Sequence, residues 1–297
     1  MKRYQDIVGD GGSNIVQQVQ AQARKTQDRL RSIRQVVAVM SGKGGVGKSC
    51  LTVNLAAALC LERLSVGILD ADINGPSIAA MTGVQGQGLE WHGDGVRPAE
   101  GFMGLKVMSM DLLLSDPSAP VVWQAPTQKD AFTWRTMMEM GALRELLADT
   151  LWGRLDVLFV DLPPGSEKLS NLMDVLPKLN GVVMITLPSA VSQHIVEKSI
   201  RMAREFLQAP IVGLIENMST LVCEHCNHEE RLFPQHDSAG LAERYGIPFL
   251  GRVPFEPRLA RAADRGEAFL LQHESTAAAK TIRRIARRLA GLETEPL

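Results

Sequence analysis

The chain is 297 residues long, 45% hydrophobic and 22% charged, with a formal net charge of −1. This is ordinary soluble globular composition, enough for one large α/β domain or two small ones, and its near-neutral balance offers no global attraction for nucleic acid or acidic partners. The opening MKRYQDIVGDGGSN lacks the apolar core of a secretory signal, and no apolar run approaches the roughly 18 residues of a membrane-spanning helix, so neither export nor membrane insertion is expected.

In chain order, a polar helical segment opens at Ser13-Asn14-Ile15 and runs to about Arg34, with Ile15, Val16, Val19 and Leu30 as its few apolar anchors. Its polarity predicts a helix lying on a domain surface, so 1–34 read as an N-terminal helical extension and 35–297 as the main domain. Short apolar runs then predict strands at 36–40 (VVAVM), 65–70 (SVGILD), 105–110 (LKVMSM), 156–161 (DVLFVD), 181–186 (GVVMIT), 210–215 (PIVGLI) and 248–253 (PFLGRV). Several are apolar almost throughout, as strands buried on both faces of a parallel sheet are. Helical stretches at 48–63, 129–150, 191–207 and 238–245 separate most of them. Strand, helix, strand repeated this often predicts an α/β fold with a doubly wound, mostly parallel sheet. The glycine-rich stretch 83–104 reads as an insertion, a hairpin, within that domain.

Between the first strand and the first long helix lies Ser41-Gly42-Lys43-Gly44-Gly45-Val46-Gly47-Lys48-Ser49, the strand–loop–helix context of a phosphate-binding loop. Its glycines let successive backbone N–H groups turn onto phosphate oxygens, and the helix N-terminus adds its positive dipole end. Lys48 is expected to reach the β- and γ-phosphates of ATP, and the Ser49 hydroxyl to ligate Mg²⁺. The nucleotide-binding set is Gly42, Lys43, Gly44, Gly45, Val46, Gly47, Lys48, Ser49 and Cys50, joined below by Asn217. Asp161 ends the run VLFVD, so it belongs at the sheet's C-terminal edge beside the loop, holding Mg²⁺ through water. Pro163-Pro164-Gly165 follows as a loop positioned to sense the γ-phosphate.

Four cysteines in such a chain point to a reducing, cytoplasmic setting with reactive or metal-binding thiols rather than a disulfide framework. Cys50 and Cys60 lie in an apolar helical pattern and read as packing residues. Cys223-Glu224-His225-Cys226 is open to three readings: half of an iron–sulfur site completed by a second chain, a zinc site drawing on His225, His228 or His236, or a redox dithiol.

The second lysine of the loop, Lys43, makes the pattern KGGxGKS. It resembles the deviant Walker A motif of the family that contains the nitrogenase iron protein, the MinD and ParA ATPases and the arsenite-pump ATPase. That resemblance implies that Lys43 reaches the nucleotide of a partner subunit across a homodimer interface, and that Asp72, the second aspartate of Asp70-Ala71-Asp72, orients or deprotonates the attacking water. Lys43, Lys48 and Asp72 are therefore the expected catalytic residues. More closely, SGKGGVGKS, LDADINGPSI, VDLPPGSEK, IENMSTLVCEHC and YGIPFLGRVPFEP, in this order, resemble the Mrp/ApbC group of iron–sulfur cluster carrier ATPases. The group implies an adenine contact from Asn217 and a [4Fe–4S] cluster held by Cys223 and Cys226 of each subunit. It further implies transfer to apo iron–sulfur recipients, with cluster scaffold proteins as further partners.

Three departures stand out. The usual GTGD after the two prolines is here Gly165-Ser166-Glu167-Lys168, a base where the group has an acid. Its Arg-Gly-Pro appears as Gln124-Ala125-Pro126, and its glycine-rich stretch after the cysteines as Phe233-Pro234-Gln235-His236-Asp237-Ser238. Nucleotide binding is expected to survive these changes, and hydrolysis to be slow. The competing class is a MinD/ParA-like regulator or an adaptor whose CxxC holds structural zinc. Its support is the C-terminal segment AAAKTIRRIARRLAGL, where Ile282, Ile285 and Leu289 share one face and Lys280, Arg283, Arg284, Arg287 and Arg288 make the helix basic, as membrane-surface helices are. A last helix packed on the sheet with its basic face in water is the reading favoured for it.

Overall fold

In the computed structural model, which describes residues 15–114, 116, 131–165, 167–176, 179–223, 225–226, 228–233 and 237–292, the apolar runs assemble into one sheet. Its strands and those of a small hairpin are β1 (Ile33–Ser41), β2 (Val66–Asp70), β3 (Trp91–His92), β4 (Gly95–Val96), β5 (Ala99–Glu100), β6 (Lys106–Met108), β7 (Leu155–Asp161), β8 (Gly181–Thr186), β9 (Ile211–Val222), β10 (Glu229–Arg231) and β11 (Phe249–Phe255). The helices are α1 (Ile15–Arg31), α2 (Lys48–Leu61), α3 (Ile78–Met81), α4 (Ala131–Asp149), α5 (Glu167–Val175), α6 (Ala190–Arg201), α7 (Ser238–Arg244), α8 (Pro257–Asp264), α9 (Phe269–Gln272) and α10 (Ala277–Leu289). The nine-stranded sheet runs β10-β9-β8-β1-β7-β2-β6-β5, with β11 also paired to β9. Among the described residues of this sheet, only β5 on β6 and β10 on β9 pair antiparallel.

The doubly wound expectation holds because the strands are apolar on both faces. Along β1, Val37 and Val39 enter a core shared with α2 and α10, while Val36, Ala38 and Met40 enter a second core on the opposite face, beneath α4. This is the period-two alternation of a strand with two buried sides. α2 runs beneath the sheet and is itself covered by α10, so ten of its residues are buried, Lys48 and Asn54 among them. The thiols of Cys50 and Cys60 pack there, and burial pushes both up to about 11, which keeps them protonated and unreactive.

α10 turns Ile282, Ile285 and Ala286 inward, fully buried, and pairs Arg287 (2.8 Å) and Arg283 (3.5 Å) with Glu62 at the end of α2. Its apolar face is therefore spent on the core, with Lys280 and Arg284 in water. Among the described residues no helix is long and apolar enough to cross a membrane. α1 packs on α4 through buried Leu30 and Thr26, with Lys25 on Asp149 (2.6 Å) and Arg29 on Asp94 (2.8 Å).

Element bounds differ from expectation where pairing partners come from far along the chain. β9 continues seven residues beyond 215, through polar Glu216, Asn217 and Ser219, because β8, β11 and β10 satisfy its backbone in turn. The helix expected over 191–207 ends its α-helical geometry at Arg201 and finishes as a π turn, Met202–Phe206. The strand expected at 105–110 is cut to Lys106–Met108 by a 3₁₀ turn. The 83–104 insertion contains the β3–β4 hairpin, but it also adds β5 to the sheet edge. Ser13, Asn14, Gln124-Ala125-Pro126, Ser166, Glu224 and 234–236 lie outside the described residues, as therefore does His236.

Candidate functional site

β1, β7 and β2 lie side by side in the sheet, so their C-terminal ends deliver Ser41, Asp161 and Asp70 to one edge. From Ser41 the chain turns through Gly42–Gly47 and enters α2. Gly45 (φ 76°) and Gly47 (φ 81°) are left-handed, which only glycine adopts cheaply, and Gly47 caps the helix. A side chain at Gly47 would also stand 2.4 Å from Asn217 Nδ2, and one at Gly42 would stand 2.3 Å from Ile195 Cγ2 on α6. The loop is thus held close against two neighbouring elements. Gly165 donates its backbone N–H to Ser41 O (3.1 Å), bringing the Pro163–Gly165 loop over the same edge.

Asp161 is fully buried and gathers the polar groups of α2. Lys48 Nζ lies 2.5 Å and Ser49 Oγ 2.6 Å from its Oδ2, and Thr52 Oγ1 donates to Oδ1 at 2.7 Å. A buried carboxylate bound to a buried ammonium and two hydroxyls is stable only because each charge has its partner. Thr52 was not among the expected site residues. It sits three residues after Ser49 on one helix face, and that spacing was the available signal. The hard oxygens of Ser49 and Asp161 fit Mg²⁺, and Lys48 already marks the spot as one that accepts positive charge.

The two aspartates at the end of β2 and just beyond it divide their work. Asp70 is buried: its Oδ2 accepts N–H from Ser77 (2.9 Å) and Ile78 (3.1 Å) at the start of α3 and from Ser109 Oγ (3.3 Å), and its Oδ1 accepts from Asp72 N (3.1 Å). It anchors the loop. Asp72 is half-buried and its Oδ1 accepts only Gly75 N (3.1 Å) among the described residues. Burial, and then the neighbouring Asp161 charge, push the Asp70 carboxyl up to about 7.

An unfolded aspartate ionises near 4, so between about pH 4 and 7 the folded chain holds a proton that the unfolded chain has released. The contribution of Asp70 to stability is therefore complete below about pH 4 and is lost as pH rises through 7. In nucleotide-free denaturant unfolding, wild type minus Asp70→Asn should fall by on the order of 2 kcal/mol between pH 5 and pH 8, other groups cancelling in the difference. A pH-independent difference would contradict this.

Asn217 Nδ2 donates to Val46 O (2.8 Å), tying β9 to the phosphate loop. The next residue, Met218, is left-handed (φ 55°), and the β9–β11 register slips there. The strand then runs on to Val222 and the β9–β10 turn, closed by Cys223 N–H on His228 O (2.9 Å). Cys223 and Cys226 are both exposed at this turn. Among the described residues no three His, Cys, Asp or Glu side chains are gathered closely enough to hold a metal ion. Lys43 is half-buried and makes no ion pair with its own chain among the described residues, although Ser41 Oγ holds its carbonyl (2.9 Å). Cys50 flanks the loop with its side chain turned into the core, so only its backbone is available there.

This chain resembles known proteins along most of its length. The family described as NUBPL iron-transfer P-loop NTPase, within ParA, matches residues 32–290. An iron–sulfur cluster carrier protein of Saccharolobus solfataricus is 38% identical over 273 residues, 92% of this chain and 88% of that protein. One from Methanocaldococcus jannaschii is likewise 38% identical, over 91% of this chain and 90% of its own length. Among solved structures, a nucleotide-binding protein from Archaeoglobus fulgidus in complex with ADP superposes with a TM-score of 0.70 at 33% identity, covering 83% of this chain and 92% of that one. The cell division protein MinD of Aquifex aeolicus, at 22% identity and a TM-score of 0.59 over 89% and 99% of the two chains, shares the fold.

Proposed function

Because the chain belongs to the NUBPL iron-transfer P-loop NTPase family, we propose that it is a cytoplasmic iron–sulfur cluster carrier. It acts as a homodimer, binds and slowly hydrolyses Mg-ATP, and passes a [4Fe–4S] cluster from scaffold proteins to apo recipients. The observation that carries this reading is the path of β9: one strand holds Asn217 against the phosphate loop and ends in the exposed Cys223–Cys226 turn. A cluster needs four thiolates, and two such turns related by a two-fold axis supply them.

In this reading the Gly42–Cys50 backbone and Lys48 bind the phosphates, and Asn217 lies beside the base. Ser49 and Asp161 would hold Mg²⁺, which would supply positive charge to neutralise the phosphates. Lys48 leaves Asp161 for the phosphates as nucleotide enters. Lys43, uncommitted within its own chain's described residues, serves the partner's nucleotide. Asp72 aligns the water, a role its half-exposed carboxylate supports better than buried Asp70. The test is anaerobic purification and reconstitution, followed by absorption and EPR spectra with iron, sulfide and zinc assayed per dimer. A brown protein with about four irons and matching sulfide per dimer, EPR-silent as reconstituted and EPR-active after reduction, supports the carrier; stoichiometric zinc in a colourless one overturns it.

Replacing Asp72 by Asn removes the acceptor for water without emptying the phosphate site. Asp72→Asn should bind Mg-ATP within about threefold of wild type and hydrolyse it at least about a hundredfold more slowly. Isothermal titration beside phosphate release checks this, and unchanged turnover would move the role elsewhere.

A further inference from the structure

Lys168 stands where the resembling group has an acid, and its amine is engaged by a carboxylate from a different helix. Lys168 Nζ, on α5, lies 3.4 Å from Glu139 Oε2 on α4. The other oxygen of the same carboxylate accepts Asn74 Nδ2 at 2.6 Å. Asn74 is two residues beyond Asp72, and α5 begins two residues after the Pro163–Gly165 loop. Asp72, Asn74, Glu139, Lys168 and Asn171 line one small cavity of about 40 Å³ with Pro163 on its wall. Glu139 is only 15% exposed and Lys168 27%, so the pair is partly screened from water. It also projects from a fixed post, since Leu143, Leu146 and Leu147 of α4 are buried in the core.

We infer that Glu139 is a positioning residue: its carboxylate clamps the Asp72 loop and the segment after Pro163–Gly165 to one rigid helix, and Lys168 is the cation the clamp requires. Asp72 is placed by a two-residue connection to Asn74, and small displacements of an aligned group cost rate steeply. The base at 168 is then not a defect in the switch region but half of a substitute tether. An acid at 168 would face Glu139 as a like charge in a half-buried site and push the two segments apart.

The kinetic arm of the test rests on the ATPase reading; the exchange arm does not. Glu139→Lys, Lys168→Glu and the double variant carrying both are compared with wild type in Mg²⁺ and a non-hydrolysable ATP analogue. Deuterium uptake is read at 71–77 and 168–172, and kcat and KM are read with ATP. Each single change should raise uptake in both segments together and lower kcat about tenfold with KM within about twofold. The charge-swapped double variant should restore both, because Asn74 can present its carbonyl oxygen to an ammonium at 139. Glu139→Gln, which keeps an acceptor for Asn74 but removes the charge, should loosen 168–172 alone. Unchanged uptake in the single variants, or a double variant no better than they are, overturns the clamp. A wild type that hydrolyses nothing fails the ATPase reading, and the exchange arm still decides the clamp.

Discussion

After anaerobic reconstitution, Cys223→Ser protein should contain no iron, where the wild type should hold about four irons and matching sulfide per dimer. The expectation follows from ligand supply. Cys50 and Cys60 are packed into the core with thiols pushed up to about 11, so they cannot act as thiolates near neutral pH. Cys223 and Cys226 are exposed on a turn, and each chain brings this one pair. Removing one of the pair leaves a two-fold site with two sulfurs, too few for the cluster. Cys226→Ser should behave identically. ATP affinity should be unchanged in both variants, because the turn lies beyond the bulge at Met218, whereas the strand's hold on the phosphate loop is made before it, at Asn217. Iron retained by either variant would remove the paired-turn site, and zinc retained through His225 or His228 would favour a structural metal.

The second large effect separates the two lysines of the loop. Lys48 is buried and bonded to Asp161, and in the proposed function it exchanges that carboxylate for phosphate oxygens. Lys48→Ala should weaken ATP binding by at least about a hundredfold, since charge-assisted bonds to phosphate are lost with no substitute. Lys43 makes no such bond in its own chain among the described residues. Lys43→Ala should therefore bind ATP within about threefold of wild type while losing hydrolysis and nucleotide-dependent dimerisation. Titration calorimetry, phosphate release and light scattering read the three properties separately. Equal loss of affinity in both variants would sink the in-trans role of Lys43.

Much of this molecule is legible from short stretches of sequence, for a physical reason. A strand buried on both faces must be apolar along its length, so GVVMIT at 181–186 and DVLFVD at 156–161 announced themselves, the first to the residue. A phosphate loop is contiguous in sequence because its strand, turn and helix are, and Asp161, ending an apolar run, could be placed at the sheet edge beside it; that Lys48 and Ser49 bond to it is a contact across more than a hundred residues. α10, amphipathic by pattern, read as a last helix packed on the sheet, and it does pack on β11; that its apolar face also covers α2 only its contacts show.

What the tertiary structure alone decided are the contacts between segments far apart in the chain. Asp70 and Asp72 are indistinguishable as letters, and it is α3 and β7 that bury one and leave the other at the rim. Asn217 reaches Val46 across 171 residues, and Glu139 joins Asn74 and Lys168 from either side of the chain. Polar Glu216–Ser219 reads as the end of a strand, yet β8 and β11 pair it and carry β9 on to the cysteines. Local pattern encodes periodicity and turns, which are short-range properties of the backbone. Which polar group faces which is set by sheet order and helix placement, and those exist only once the whole chain has folded.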